Sequence, residues 1–226
     1  ETLFDEDAAD TIGELAQPFG TRSLVPATMP LLDVIPRLAQ ESGWTLFLLS
    51  ESGVTHYIGC EELDSMPIKL CLFALLAELE AEMRHALLSE PGRLRERWGY
   101  LPWFRQERLL KNSDHGMLPS EDQIAPERLQ KALKWANLSD HERMLFADPA
   151  MLSRFGFDSE ADAKQFFGRA RQVRNVVAHG SPLSDAGDDL MVPQDFAAFV
   201  KDVQRVVAVF TEQRRAGQQD AEAKRN

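Results

Sequence analysis

The sequence predicts an α+β fold in which a small α/β unit, residues 1–66, precedes a larger all-helical bundle, residues 67–216. The hydrophobic period changes near Met66, from short runs of strand and helix length to steps of three and four residues. The net charge also changes near Met66. Residues 1–66 carry 12 acids and 2 bases, whereas the remaining residues carry 24 acids and 23 bases. Residues 217–226 are polar and are expected to form a disordered tail.

The first 66 residues alternate helix and strand patterns. Apolar spacing predicts a short helix over residues 3–16 and a second helix over Leu31–Gln40. Strands are predicted at Ser23–Ala27, Thr45–Leu49 and Val54–Cys60. The turn residues Glu51-Ser52-Gly53 join the last two strands into a hairpin, so a small sheet is expected in this unit.

After Met66 every predicted element is a helix. Leucine and methionine recur at helical steps up to Leu87, which predicts one long amphipathic helix that stops near Pro91-Gly92. Further helices are expected at about Leu94–Lys111, Pro126–Leu138, residues 139–147, Ser159–His179 and from Pro193 onward. Gly99 and Pro102 are expected to kink the first of these. No strand is predicted between residues 67 and 216.

Composition excludes several classes of protein. A formal net charge of −11 is incompatible with a uniformly basic nucleic-acid coat, although it leaves room for a local basic patch. Cys60 and Cys71 show no paired spacing, so a reducing, cytoplasmic location is expected. The longest apolar run, near Leu70–Ala77, is far shorter than the roughly 20 residues of a membrane span. Histidine and cysteine spacing predicts no metal site, and without a glycine-rich phosphate loop no cofactor is expected.

Residues Thr21–Met66 resemble one repeat of the CBS domain in their β-α-β-β-α order and in the sequence Gly59-Cys60-Glu61-Glu62-Leu63-Asp64. The resemblance implies a unit that works in pairs and often binds adenine nucleotides. Where nucleotide-binding repeats carry Thr or Ser and then Asp, this chain has Glu62 and Ser65. Glu61 and Glu62 would repel a phosphate, which favours a packing or dimerisation unit over a ligand site.

The segment from Arg171 to Gly180, Arg-Gln-Val-Arg-Asn-Val-Val-Ala-His-Gly, resembles the signature of the HEPN superfamily. Ribonucleases of that superfamily carry an Arg, a polar residue, three variable residues and a His near the end of a helix. Arg174, Asn175 and His179 fill these three positions. The resemblance implies a helical domain over residues 67–216 and a catalytic site built across a homodimer.

The chemistry of metal-independent RNA cleavage suits these three residue types. A histidine titrates near neutral pH and can remove the proton of the ribose 2′-hydroxyl, while a guanidinium stabilises the charge on the phosphate. Asn175 lies one helical turn before His179 and is placed to orient its ring. On an ideal helix, however, Arg174 and His179 lie about 140° apart. They can converge on one phosphate only if the helix end unwinds or a second subunit contributes.

The same residues also have a structural interpretation. A histidine in the last turn of a helix followed by glycine is a common helix ending, because His⁺ complements the helix dipole and glycine accepts the left-handed cap. Arg174 is then an ordinary surface residue. Both interpretations remain open from the sequence.

A basic zone interleaved with Trp98, Tyr100 and Trp103 is the second indication of RNA. Cations and aromatic rings together suit single-stranded RNA, whose bases stack on rings while phosphates contact guanidinium groups. The candidate RNA-binding residues are Arg93, Arg95, Arg97, Arg105, Arg108, Lys111, Arg169 and Arg171. The alternative is that the aromatic residues belong to the core and the arginines are merely solvated.

Together these patterns predict a metal-independent endoribonuclease of the defence or toxin type that acts as a homodimer. His179 is the expected acid and base, Arg174 the phosphate ligand and Asn175 the residue that orients the histidine. RNA and a cognate antitoxin or regulatory protein are the expected partners. The competing hypothesis is a non-catalytic helical interaction or nucleotide-binding module that is regulated by the CBS-like unit.

Overall fold

A computed structural model describes residues 20–41, 43–113 and 124–223. The predicted helix over residues 3–16 lies outside these ranges. The described residues are mostly helical, and three short strands near the amino-terminal end form one sheet. The α+β class expected from the sequence is therefore confirmed.

The sheet has the order β1-β2-β3, with β1 at Leu24–Pro26, β2 at Leu46–Ser50 and β3 at Gly53–Ile58. β1 runs parallel to β2, and β2 runs antiparallel to β3 in the predicted hairpin. Helix α1, Leu31–Gln40, connects the two parallel strands. Because side chains alternate along a strand, Val25 and Leu46 are buried while Leu49 and Tyr57 lie on the outer face and are exposed.

The rest of the described chain is helical. The helices are α2 at Met66–Leu88, α3 at Pro91–Trp98, α4 at Trp103–Ser113, α5 at Pro126–Ala132, α6 at Leu138–Phe146, α7 at Pro149–Arg154, α8 at Glu160–His179 and α9 at Pro193–Ala223. No described residue after Met66 lies in a strand, so the expectation of a helical region without a sheet is confirmed as far as the description extends.

Several boundaries differ from the expected ones. The helix predicted over Pro126–Leu138 ends at Ala132 and gives way to the short turn Leu133–Trp135, and α7 was not predicted. The helix predicted over Leu94–Lys111 is two helices, because Gly99 and Pro102 end α3 and start α4 instead of only bending one helix. The final helix α9 continues to Ala223, into the segment 217–226 that was expected to be disordered. The alanine, glutamine and glutamate residues there are good helix formers, and a helix that has already formed extends easily through them.

Helix α2 lies at the centre of the bundle, where α9, α8, α6 and α1 pack against it. The buried apolar residues form one continuous core from Val25 in the sheet to Phe210 in α9. A polar contact also joins the segment before α2 to the loop that follows α8. Asp64, just before α2, accepts the backbone N–H of Leu183 at 2.7 Å and pairs with the buried Lys69 at 3.0 Å.

The residues that resemble a CBS repeat have local structural partners. A side-chain oxygen of Glu62 accepts the backbone N–H of Gly59 at 2.7 Å and so closes the short turn Cys60–Asp64. Cys60 and Cys71 are free thiols. Within the described ranges, no helix combines the length and the apolar composition needed to cross a membrane.

Helix α8, which carries Arg174, Asn175 and His179, is regular from end to end. Ser159 caps its first turn by accepting the N–H of Asp162 at 3.1 Å. At the other end Gly180 adopts a φ of 69°, and the N–H groups of Gly180 and Ser181 return to the carbonyls of Val177 and Val176. This pair of bonds is a Schellman motif, which ends the helix directly after His179.

Candidate functional site

A small groove of about 150 Å³ lies between α8, α6 and α2. Helix α8 contributes Arg171, Arg174 and Asn175, and α2 contributes Glu80. The opposite wall is the start of α6, residues 137–139. The groove therefore brings two of the three motif residues to one surface, next to backbone N–H groups at the start of a helix.

Arg174 and Glu80 form an ion pair in this groove, with Nε and Oε1 3.4 Å apart. Burial raises the pKa of the Glu80 carboxyl above its ordinary value, although Arg174 and the backbone N–H of Leu138 act in the opposite direction. The raised pKa means that burial outweighs the stabilising contacts. A carboxyl group with a shifted pKa beside an arginine occurs both in functional sites and in structural ion pairs between helices.

The start of α6 is held in place by side chains from two directions. Asn137 and Asp140 cap it reciprocally, with each side chain accepting the other residue's backbone N–H at 3.1 and 3.0 Å. Arg105 of α4 donates to the same Asp140 through both Nε and a terminal nitrogen. The capped turn is thus fixed between α4 and the groove.

His179 is exposed and is not part of the groove lining. Asn175 is also exposed, and no hydrogen bond joins it to His179 among the described residues. Because α8 is regular up to Gly180, Arg174 and His179 keep the separation of about 140° that the sequence predicted. The helix end does not unwind, so a single chain in this conformation does not aim both side chains at one phosphate.

An exposed apolar stripe on α2, formed by Met66, Leu70 and Phe73, leads towards the groove. Phe73 and Glu80 are seven residues apart and therefore lie on the same face of α2. α2 and α8 run antiparallel, since Asp64 contacts Leu183 and Glu80 contacts Arg174. The stripe accordingly lies beside the end of α8 that carries His179.

Most of the candidate RNA-binding residues are engaged within the chain. Arg97 is fully buried and pairs with Glu90 at 2.7 Å, so it does not face solvent. The others pair as follows: Arg93 with Asp148 at 2.8 Å, Lys111 with Glu107 at 2.7 Å, Arg169 with Asp189 at 2.8 Å, Arg105 with Asp140 and Arg171 with Glu142. Arg95 donates to the carbonyl of Ile124. Arg108 is exposed, and no described residue forms an ion pair with it.

The interleaved aromatic residues divide into two groups. Trp98 is buried in the core, as the structural alternative expects, whereas Tyr100 and Trp103 are exposed. Two further aromatic side chains outside the predicted set, Phe104 and Trp135, are exposed as well.

No sequence motif marks two further titratable residues, Glu80 and His141. Glu80 matters through its contact with Arg174, which is far away in the sequence, so no local pattern marks it. His141 is fully buried in α6, and burial lowers its pKa to about 4, with Arg84 acting in the same direction. Its place between α6 residues with core spacing, Leu138 and Leu145, is the one sequence signal for burial.

No group of three or more histidine, cysteine, aspartate or glutamate side chains suited to a metal ion occurs in the part of the chain that the structure describes. Neither family models, nor curated proteins, nor solved structures match this chain.

Proposed function

We propose that the chain is a metal-independent endoribonuclease of the toxin or defence type that acts as a homodimer. The observation that carries this proposal is the groove in which Arg174 and Asn175 lie next to the start of α6, beside the exposed His179 at the end of the same helix. Cationic side chains and the positive end of the α6 dipole both favour a phosphate. The HEPN-like motif supplies the reaction class.

In the proposed reaction His179 removes the proton of the ribose 2′-hydroxyl, and the resulting oxygen attacks the adjacent phosphorus. The bond from phosphorus to the 5′-oxygen breaks, and that oxygen takes a proton from a second histidine. The products are a 2′,3′-cyclic phosphate and a 5′-hydroxyl end. Arg174 leaves its ion pair with Glu80, binds the phosphate instead and stabilises the charge on the phosphate oxygens.

The regular end of α8 favours two subunits over one. Arg174 and His179 of one chain point about 140° apart, so a two-fold axis beside His179 is the simplest way to assemble both groups around one phosphate. The exposed stripe of Met66, Leu70 and Phe73 lies beside that helix end and offers apolar area for the contact. Val173 is fully buried in the core and so contributes nothing to such an interface.

Cleavage of RNA in the presence of EDTA tests the activity. The unmodified protein should produce cyclic phosphate ends, and His179→Ala should lower the rate by about 100-fold or more. His56→Ala is the matched control, because His56 is an exposed histidine on β3, away from the groove. Equal rates for the two variants would refute the catalytic role of His179.

The shared site has its own test. Leu70→Lys should convert the dimer to a monomer in light scattering and abolish cleavage together with it. Mixing Arg174→Ala subunits with His179→Ala subunits should give more cleavage than either variant alone but much less than the unmodified protein, because the mixed dimer keeps one Arg174 and only one of the two histidines that the reaction uses. A monomeric unmodified protein that cleaves RNA would contradict the two-subunit site.

The ion pair between Arg174 and Glu80 favours a second candidate function, a non-catalytic binding module. In that case Arg174 serves to hold α8 against α2, and His179 only ends its helix. RNA binding without any cleavage in the same assay would support this alternative.

A further inference from the structure

Three large aromatic side chains are exposed where α4 meets the turn after α5. The exposed fractions are 68% for Trp103, 60% for Phe104 and 57% for Trp135, whereas Trp98 is 3% exposed. Aromatic side chains usually bury most of their area, so three exposed rings in one region are unusual for a surface without a ligand.

The contacts of α4 bring these rings to the same region. Trp103 and Phe104 form the start of α4, and Trp135 ends the short turn Leu133–Trp135 against which α4 packs. The pair between Arg105 and Asp140 ties the first turn of α4 to the start of α6. The segments that carry the rings therefore lie beside the capped turn that forms one wall of the groove.

The charge around the rings is positive, although the whole chain carries a net charge of −11. Helix α4 contains three bases and one acid, and residues 126–135 also contain three bases and one acid. Arg108, Lys131 and Lys134 are exposed, and the described part of the chain provides no ion-pair partner for them. These cations are thus available to a ligand.

We propose that Trp103, Phe104 and Trp135 form a stacking platform for the unpaired bases of single-stranded RNA. Arg108, Lys131 and Lys134 contact its phosphates. Every base has a π face, so such a platform accepts many sequences, but it rejects a duplex because paired bases are already stacked on one another. Unpaired cations beside the rings favour a polyanion over an apolar protein partner.

The platform adds a substrate class to the proposed function. That the bound RNA is also the substrate rests on the proposed function. Trp135 precedes Asn137 of the groove by two residues, and two residues span at most about 7 Å. An RNA strand stacked on Trp135 would place its neighbouring phosphates near Arg174. The inferred substrate is therefore an unpaired segment of RNA that crosses from the platform into the groove.

The test measures binding of a fluorescently labelled oligouridylate to protein that carries His179→Ala, so that cleavage does not interfere. Trp103→Ala and Trp135→Ala should each weaken binding by about five-fold or more, and Trp135→Phe should retain most of it because the ring is preserved. The matched control is Tyr57→Ala, which removes an exposed aromatic ring from the sheet. Circular dichroism checks that each variant is folded.

The outcomes separate this inference from the proposed function. Unchanged binding in both tryptophan variants, or equal affinity for a duplex of the same length, would overturn the platform. A change of oligomeric state in these variants with RNA binding unchanged would instead identify a protein contact. If the single strand binds through the platform but the unmodified protein never cleaves it, the proposed function fails and the platform stands.

Discussion

Glu80 and a phosphate compete for Arg174 in the proposed enzyme. Glu80→Gln removes the competing charge, so single-stranded RNA should bind about three- to five-fold more tightly at neutral pH. Glu78→Gln is the matched control, since it removes the same charge from an exposed position on α2. Fluorescence anisotropy measures both affinities, and an equal gain in the two variants would mean that only net charge matters.

His141 should make the protein sensitive to mild acid. Burial lowers the pKa of its imidazole to about 4, and Arg84 acts in the same direction while Asp140 opposes it. The unfolded chain, with a pKa near 6.5, binds the proton more readily, so stability is full above about pH 6.5 and is lost as pH falls towards 4. From pH 7 to pH 5 this group should lower the free energy of unfolding by about 2 kcal/mol.

Urea denaturation of the unmodified protein and of His141→Leu at both pH values measures that contribution. The variant should show a smaller loss of stability on acidification, whatever its stability at pH 7. The exposed His56→Gln provides the comparison and should keep the full loss. An identical pH dependence for His141→Leu would show that other groups cause the effect.

At the level of helices, two glycines should respond to alanine with opposite signs. Gly180 adopts a φ of 69° at the end of α8, where Gly180→Ala should destabilise the protein by about 1 kcal/mol, while Gly180→Asn should cost less. Gly217 lies inside α9 with open space around it, so Gly217→Ala should stabilise by up to about 1 kcal/mol. Thermal unfolding measures both, and a shift of the same sign would contradict the assigned backbone conformations.

Local sequence signals account for most of the elements and for part of the site. Ser159 and Gly180 mark the two ends of α8 through their own backbone chemistry, so the motif helix could be predicted closely. The pairs Glu80–Arg174 and Arg105–Asp140 could not, because they join residues that only the packing of separate helices brings together. Exposure of Trp103 and burial of Trp98 likewise depend on which face of each helix meets the core.

At the level of the whole molecule, the continuous core predicts one cooperative unfolding transition. Helix α1 packs on α9, and Gln194 of α9 donates to the carbonyl of Ala39 at 2.9 Å. Helical circular dichroism and hydrogen exchange of the β2 amides should therefore give the same urea midpoint. A separate, earlier loss of protection in β2 would indicate that the sheet unit unfolds by itself.

The contact between α1 and α9 has a consequence for synthesis on the ribosome. The apolar residues Val34, Ile35 and Leu38 leave the ribosome long before the helix that covers them has been made. At roughly 5–20 residues per second, the delay is about ten to thirty seconds. During that time the nascent chain exposes a hydrophobic surface. The yield of native protein should therefore depend more on early capture by a chaperone than on the rate of any later folding step.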